Sequence, residues 1–277
     1  MSTPAFAVSN DLNWSVSQRP LFFQRENGTL GECPNTVAVI RDDNEHCLGF
    51  VSPTYETVQN KDLLSLIQPM VDEEILTIKN VGYLSYGAKV FAQARVNQEF
   101  QVIGETYNAY ITLLNGHVGN ASVAIGPSAT RVICGNTFAM AYSELGEKYR
   151  HHVGVNEKVL SSQAVLNYVN GAMEKYSSYV DKLATTSCSH SQFREAVSKI
   201  YGKEESRLRH AEKLENLFRY GAGNEGKTFY DVFNAVTDYA SNFSRKTNSG
   251  RFGYANFGKG ARINQRAMSV LTEMAAV

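Results

Sequence analysis

The chain has 277 residues, 43% of them apolar, and its 27 Lys and Arg balance its 27 Asp and Glu. A chain of this length buries roughly three quarters of its unfolded surface without needing disulfides, and the composition excludes wholesale disorder. Zero net charge excludes a global field that would draw in DNA or an anionic membrane, so any electrostatic function must be local.

In chain order, residues 1–35 show little periodicity and read as an N-terminal arm. TVAVIRD at 36–42 and CLGFVS at 47–52 are short apolar runs around the turn formers Asp42, Asp43 and Asn44, which predicts a hairpin. Asn60 reads as the cap of a helix carrying Leu63, Leu64, Ile67, Met70 and Val71 at helical spacing. Strands are expected at 75–80, 82–87, 88–96, 110–116, 121–126 and 128–133. The third of these alternates Val90, Ala92, Ala94 and Val96 with Lys89, Phe91, Gln93 and Arg95, which predicts one buried side and one exposed basic, aromatic side. Arg131 is expected on or near another exposed strand face. Asn136 reads as the cap of a helix to about residue 150.

From residue 156 the period is helical. A long amphipathic helix carries Val165, Val169, Met173, Tyr176, Val180 and Leu183, and Ser189 with Gln192 predicts a capping box opening a second. A charged helix follows over 203–220, and Thr228 with Asp231 predicts another capping box. Strands first and helices after predict an α+β fold: an arm (1–35), an antiparallel β-rich core (36–155) and a helical region (156–277).

Between two of those helices lies GAGNEGKT at 221–228, which matches the phosphate-loop pattern G-x-x-x-x-G-K-[ST]. A phosphate loop needs a strand before the glycines; here AEKLENLFRY has helical spacing, which favours a linker. A nucleotide-binding enzyme using Lys227 and Thr228 stands as the alternative.

The stronger signal follows it. From 241 to 270 there are six cations (Arg245, Lys246, Arg251, Lys259, Arg262 and Arg266) and no acid. Phe243, Phe252, Tyr254 and Phe257 interleave with them. Cations neutralise phosphates and exposed rings stack on unpaired bases, so the mixture suits single strands. Lys259, Arg262 and Arg266 share a face near the start of the last helix, the wrong end of its dipole, a conflict that a bound anion would remove. The rival reading has the rings fasten this helix to the body while the cations pair with neighbouring carboxylates.

Asn115 and His117 sit in a turn-like stretch, as polar site residues or as a plain connection. Cys33, Cys47, Cys134 and Cys188 lack metal-site spacing. No apolar run approaches a membrane span, and the first residues lack the marks of a secretory signal, so a cytoplasmic protein with free thiols is expected. No catalytic constellation is visible, and neither enzyme activity nor a cofactor is expected.

The stretches at 48–71, 89–96, 110–138 and 233–239, with FGKGARINQRAM at 257–268, resemble the phage/plasmid-like protein family, a group defined by a domain of unknown function. The resemblance implies a gene carried by phages or plasmids, acting in the bacterial cytoplasm without an established activity. The family's usual turn N-S-H-D-G is here Asn115, Gly116, His117, Val118 and Gly119, and the missing acid weakens a metal or acid–base role. The element order over 60–150 is also similar to the core of single-strand annealing proteins, which assemble as rings or filaments around DNA. The function expected is therefore single-stranded nucleic-acid binding, DNA ahead of RNA, by a homo-oligomer, with strand annealing as its extension. A protein that binds and inhibits a host factor is a further alternative.

Overall fold

Val37, Val39 and the residues facing them across a tight turn favour extended backbone, and the chain opens with strands. A computed structural model describes residues 12–118, 123–133, 135, 137–139, 147–149, 162–202 and 204–276. Strands β1 (Val16–Gln24), β2 (Leu30–Arg41) and β3 (His46–Val51) form one antiparallel sheet, with Val16 opposite Arg41 and Val37 opposite Val51. The register of β1 shifts between Pro20 and Phe22, where proline has no N–H to donate.

The expected arm over 1–35 is thus corrected from residue 16 onward, where the chain is paired strand, while its residues 1–11 lie outside the described residues. Residues 22–30 form the exposed end of a two-stranded ribbon that buries neither face, so its sequence carries no alternation.

Helices α1 (Asn60–Ser65) and α2 (Gln68–Asp72) follow. The α1 cap is Gln59, paired in a capping box with Asp62, one residue before the expected Asn60. Asn60 is instead buried, its amide donating to the carbonyls of Leu12 and Trp14.

The second sheet contains β4 (Leu76–Leu84), β5 (Lys89–Val102), β6 (Glu105–Gly116), β7 (Val123–Arg131) and β8 (Thr137–Ala139) in that spatial order, with β9 (Glu147–Tyr149) also on β7. Ile103 and Gly104, both at positive φ, make the two-residue turn joining β5 to β6. Of the helix expected from Asn136 to about residue 150, the described residues 137–139 and 147–149 are instead strands β8 and β9, paired with Ser128–Thr130 and Val123–Ile125, and the rest of the stretch lies outside the described residues.

The exposed face expected on β5 is also corrected. Phe91 and Gln93 are buried along with Val90, Ala92, Ala94 and Val96. Gln93 accepts from Asn80 and donates to Thr112, which is how a polar side chain is accommodated there. Lys89 and Arg95 are half-buried.

Chain contacts divide the protein into two units: Met1–Asn97, Ile111–Ile125 and Glu147–Leu166 in the first, and Gln98–Tyr110, Gly126–Gly146 and Asn167–Val277 in the second. The first contains a buried polar network. His117 Nε2 meets Asn60 Oδ1 at 3.0 Å, and the Asn115 amide donates to the Val58 carbonyl. The Asn115 and His117 side chains are fully buried, so they fasten the end of β6 to Val58 and to the first residue of α1.

The second unit holds α3 (Ser162–Thr185) from Asn167 onward, α4 (His190–Tyr201), α5 (Glu204–Tyr220), α6 (Phe229–Asp238), α7 (Asn248–Asn256) and α8 (Lys259–Met274), with a π-helical turn over Tyr239–Phe243. Both capping boxes form as expected, Ser189 with Gln192 on α4 and Thr228 with Asp231 on α6. Helix α6 is buried at every position, making it the centre of this unit. The rings of Tyr107, Phe138, Tyr176 and Phe233 cluster around it, with neighbouring centroids 5.6–6.5 Å apart. The fold class is α+β, strands first and helices after. Among the described residues no helix is long and apolar enough to cross a membrane.

Candidate anion-binding site

The phosphate-loop pattern proves to be a helix linker in which most of the backbone donors are already taken. Gly221 closes α5 by donating to the Leu217 carbonyl. The Asp231 carboxylate then accepts the N–H groups of Lys227 at 2.8 Å and Thr228 at 3.0 Å, and Asp231 N–H in turn donates to the Thr228 hydroxyl. A buried carboxylate therefore occupies donors that a nucleotide phosphate would need. The Lys227 ammonium faces Glu225 at 2.7 Å, on the surface.

The cations of α8 are arranged differently. The helix starts from Gly258 with no side-chain cap and no acid in its first turn. Its buried face is built on Gly260, Ala261, Asn264, Ala267, Met268 and Leu271, which leaves Lys259, Arg262 and Arg266 exposed on the other. Gly260 is required where it stands. A Cβ there would lie 2.4 Å from Tyr254 Cδ1 and 2.7 Å from the Tyr254 carbonyl oxygen, so only glycine lets α8 begin against α7.

This junction opens a cavity of about 320 Å³. Lys259, Arg262, Ile263 and Arg266 form one wall, with Tyr254 from α7, Ile200 and Tyr201 from the end of α4, and His210 from α5. Among the described residues no carboxylate lines it. Lys259, Arg262 and Arg266 make no ion pair or hydrogen bond with the described residues. The rival reading's pairing with carboxylates finds no support among the described residues, and the side chains of 204–209 lie outside them.

Aromatic groups complete the walls. The His210 ring lies between Tyr201 and Tyr239, at centroid distances of 5.7 and 4.8 Å. The Arg245 guanidinium covers the Tyr254 ring at 4.5 Å. Burial raises the Tyr201 phenol above its ordinary value, reinforced by the nearby Tyr254 and Tyr239. Burial also raises Tyr254, against the opposing charge of Arg245. Both hydroxyls therefore remain protonated donors at neutral pH. Three cations and two phenols, with no carboxylate among the described lining residues, make a recess suited to an acceptor-rich anion.

Of the residues expected at a binding surface, Tyr254, Lys259, Arg262 and Arg266 meet at this cavity. Arg245 supports it through Tyr254, and Arg251 donates to the carbonyls of Arg245 and Lys246, holding the preceding loop. Lys246 is exposed but does not line the cavity. Phe257 packs edge-on against Phe252 at 5.8 Å, a local contact rather than an open stacking surface. Lys89 and Arg95 belong to the other unit, where Arg95 Nε is buried without a hydrogen-bond partner. Arg131 ends β7, and its side chain lies outside the described residues.

Sequence reasoning missed Tyr201 and His210. They come from helices remote in sequence, and nothing local marks them.

A family model described as a domain of unknown function (DUF932) matches residues 47–272. No curated protein and no solved structure matches the chain.

Proposed function

Because the chain belongs to this domain-of-unknown-function family, whose description carries no activity, we propose from the site alone that the protein binds single-stranded DNA. Lys259, Arg262 and Arg266 contact phosphates, and Tyr254 contributes ring surface. The observation that carries the reading is the convergence of three cations, with no ion pair or carboxylate neighbour among the described residues, on one cavity in a chain of zero net charge. A charge-neutral monomer is a poor polyanion binder, so a homo-oligomer that repeats the site along a strand is part of the proposal, with annealing of complementary strands as its outcome. This role belongs in a bacterial cytoplasm, on a phage- or plasmid-borne gene.

The test is anisotropy of a labelled oligonucleotide across a salt series. Three neutralised phosphates per subunit give a slope of log K against log salt of about −2 for a single strand, and Arg262→Ala with Arg266→Ala should bring it to about −0.7. An unchanged slope would remove these arginines from the interface.

A further inference from the structure

A strand of DNA runs past a surface, whereas Lys259, Arg262 and Arg266 line one recess of about 320 Å³. Small-ligand pockets begin at about 300 Å³, so this one has room for a single nucleotide and not for a length of strand. The three residues span about 10 Å of the α8 axis, and their long side chains border the same space.

The charge balance is also informative. An internal phosphodiester carries one negative charge. A phosphomonoester carries close to two at neutral pH and presents three acceptor oxygens. Three cations held together, with no carboxylate among the described lining residues, repel one another when the recess is empty, and a dianion relieves that repulsion better than a monoanion. Ile200 and Ile263 add apolar surface beside the Tyr201 and Tyr254 rings, a lining that fits a sugar and base more than a bare inorganic ion.

We propose that this cavity seats a phosphomonoester attached to a nucleoside: the terminal phosphate of a nucleic-acid strand, or a free nucleotide of the same chemistry. Lys259, Arg262 and Arg266 hold the phosphate. Tyr254 and Tyr201 flank the sugar and base. The inference rests on the anion-binding reading of the same site and narrows it from a strand's backbone to its end.

Calorimetric titration of the full chain tests it with five ligands: one oligonucleotide carrying a 5′-phosphate, a 3′-phosphate or hydroxyls at both ends, a deoxynucleoside monophosphate, and the matching nucleoside. The expected result is at least tenfold tighter binding of one phosphorylated strand than of the hydroxyl-ended strand. That difference should vanish in Arg262→Ala with Arg266→Ala and persist in Ser269→Ala, an exposed α8 position outside the cavity. An unchanged melting temperature shows that the arginine variant is folded. Equal affinity for all three strands overturns the terminal seat and leaves strand binding standing. Binding of the monophosphate with none of any strand keeps the seat and overturns the strand reading, and binding of no ligand overturns both.

Discussion

Replacing Gly260 with alanine should weaken the protein, against the ordinary effect of that exchange in a helix. Alanine normally gains about 0.5–1 kcal/mol over glycine there, because it restricts the unfolded chain. At Gly260 the new methyl would stand 2.4 and 2.5 Å from two carbons of the Tyr254 ring and 2.7 Å from its carbonyl oxygen. Turning the ring could relieve the first two contacts, but the third is with backbone, so α7 and α8 must separate. Overpacking of this kind costs about 1–3 kcal/mol, leaving a net loss of about 1–2 kcal/mol. The melting temperature should fall by roughly 2–8 °C. Gly171 in α3 is the matched control: nothing lies within 4 Å of its Cβ position, so Gly171→Ala should raise the melting temperature. If Gly260→Ala melts at or above the wild type, the close approach of the two helices, and the shape of the cavity built on it, are wrong.

The 221–228 loop is tested by exchanging its two charged partners. Asp231→Ala removes the acceptor of the Lys227 and Thr228 N–H groups and should cost about 1–3 kcal/mol in urea unfolding, whereas Lys227→Ala, at an exposed pair, should leave the midpoint unchanged. Cys188 is buried; burial first, then the Asp231 charge, pushes its thiol up to about 12, so iodoacetamide at pH 8 should label exposed Cys47 and reach Cys188 only after unfolding. Hydrogen bonds from Ser17 and Ser15 hold the Asp42 carboxyl below its ordinary value. Its contribution to stability is therefore present above the usual carboxylate range and fades as pH falls through the lowered value. Carbon-13 NMR titration should show Asp42 moving up toward that range in Ser15→Ala with Ser17→Ala.

Legibility of the fold followed how many faces an element buries. The hairpin of β2 and β3 was readable, as were α3 to α6 with both of the capping boxes formed at Ser189 and Thr228. Strand β1 was not, because an exposed ribbon imposes no alternation on VSQRPLFFQ. Strand β5 misled in the opposite sense: Gln93 looks solvent-facing by its chemistry but is satisfied by Asn80 and Thr112 inside the sheet. The cation cluster was visible as an acid-free stretch, and three of its members meet as expected. Charge pattern alone did not separate those from Arg251, whose guanidinium holds backbone carbonyls. Tyr201 and His210 reach the cavity only through tertiary packing, which leaves no periodic trace.

The ribbon tip offers a practical handle. Gly28 turns there at φ 83° with open space around its Cβ position, and every residue from Phe22 to Leu30 faces solvent. Loop tips of this kind accept inserted chain with little penalty. A fluorophore or affinity peptide grafted between Asn27 and Gly28 would therefore leave both hydrophobic cores undisturbed, giving an immobilisation point for single-molecule work that spares the last helix.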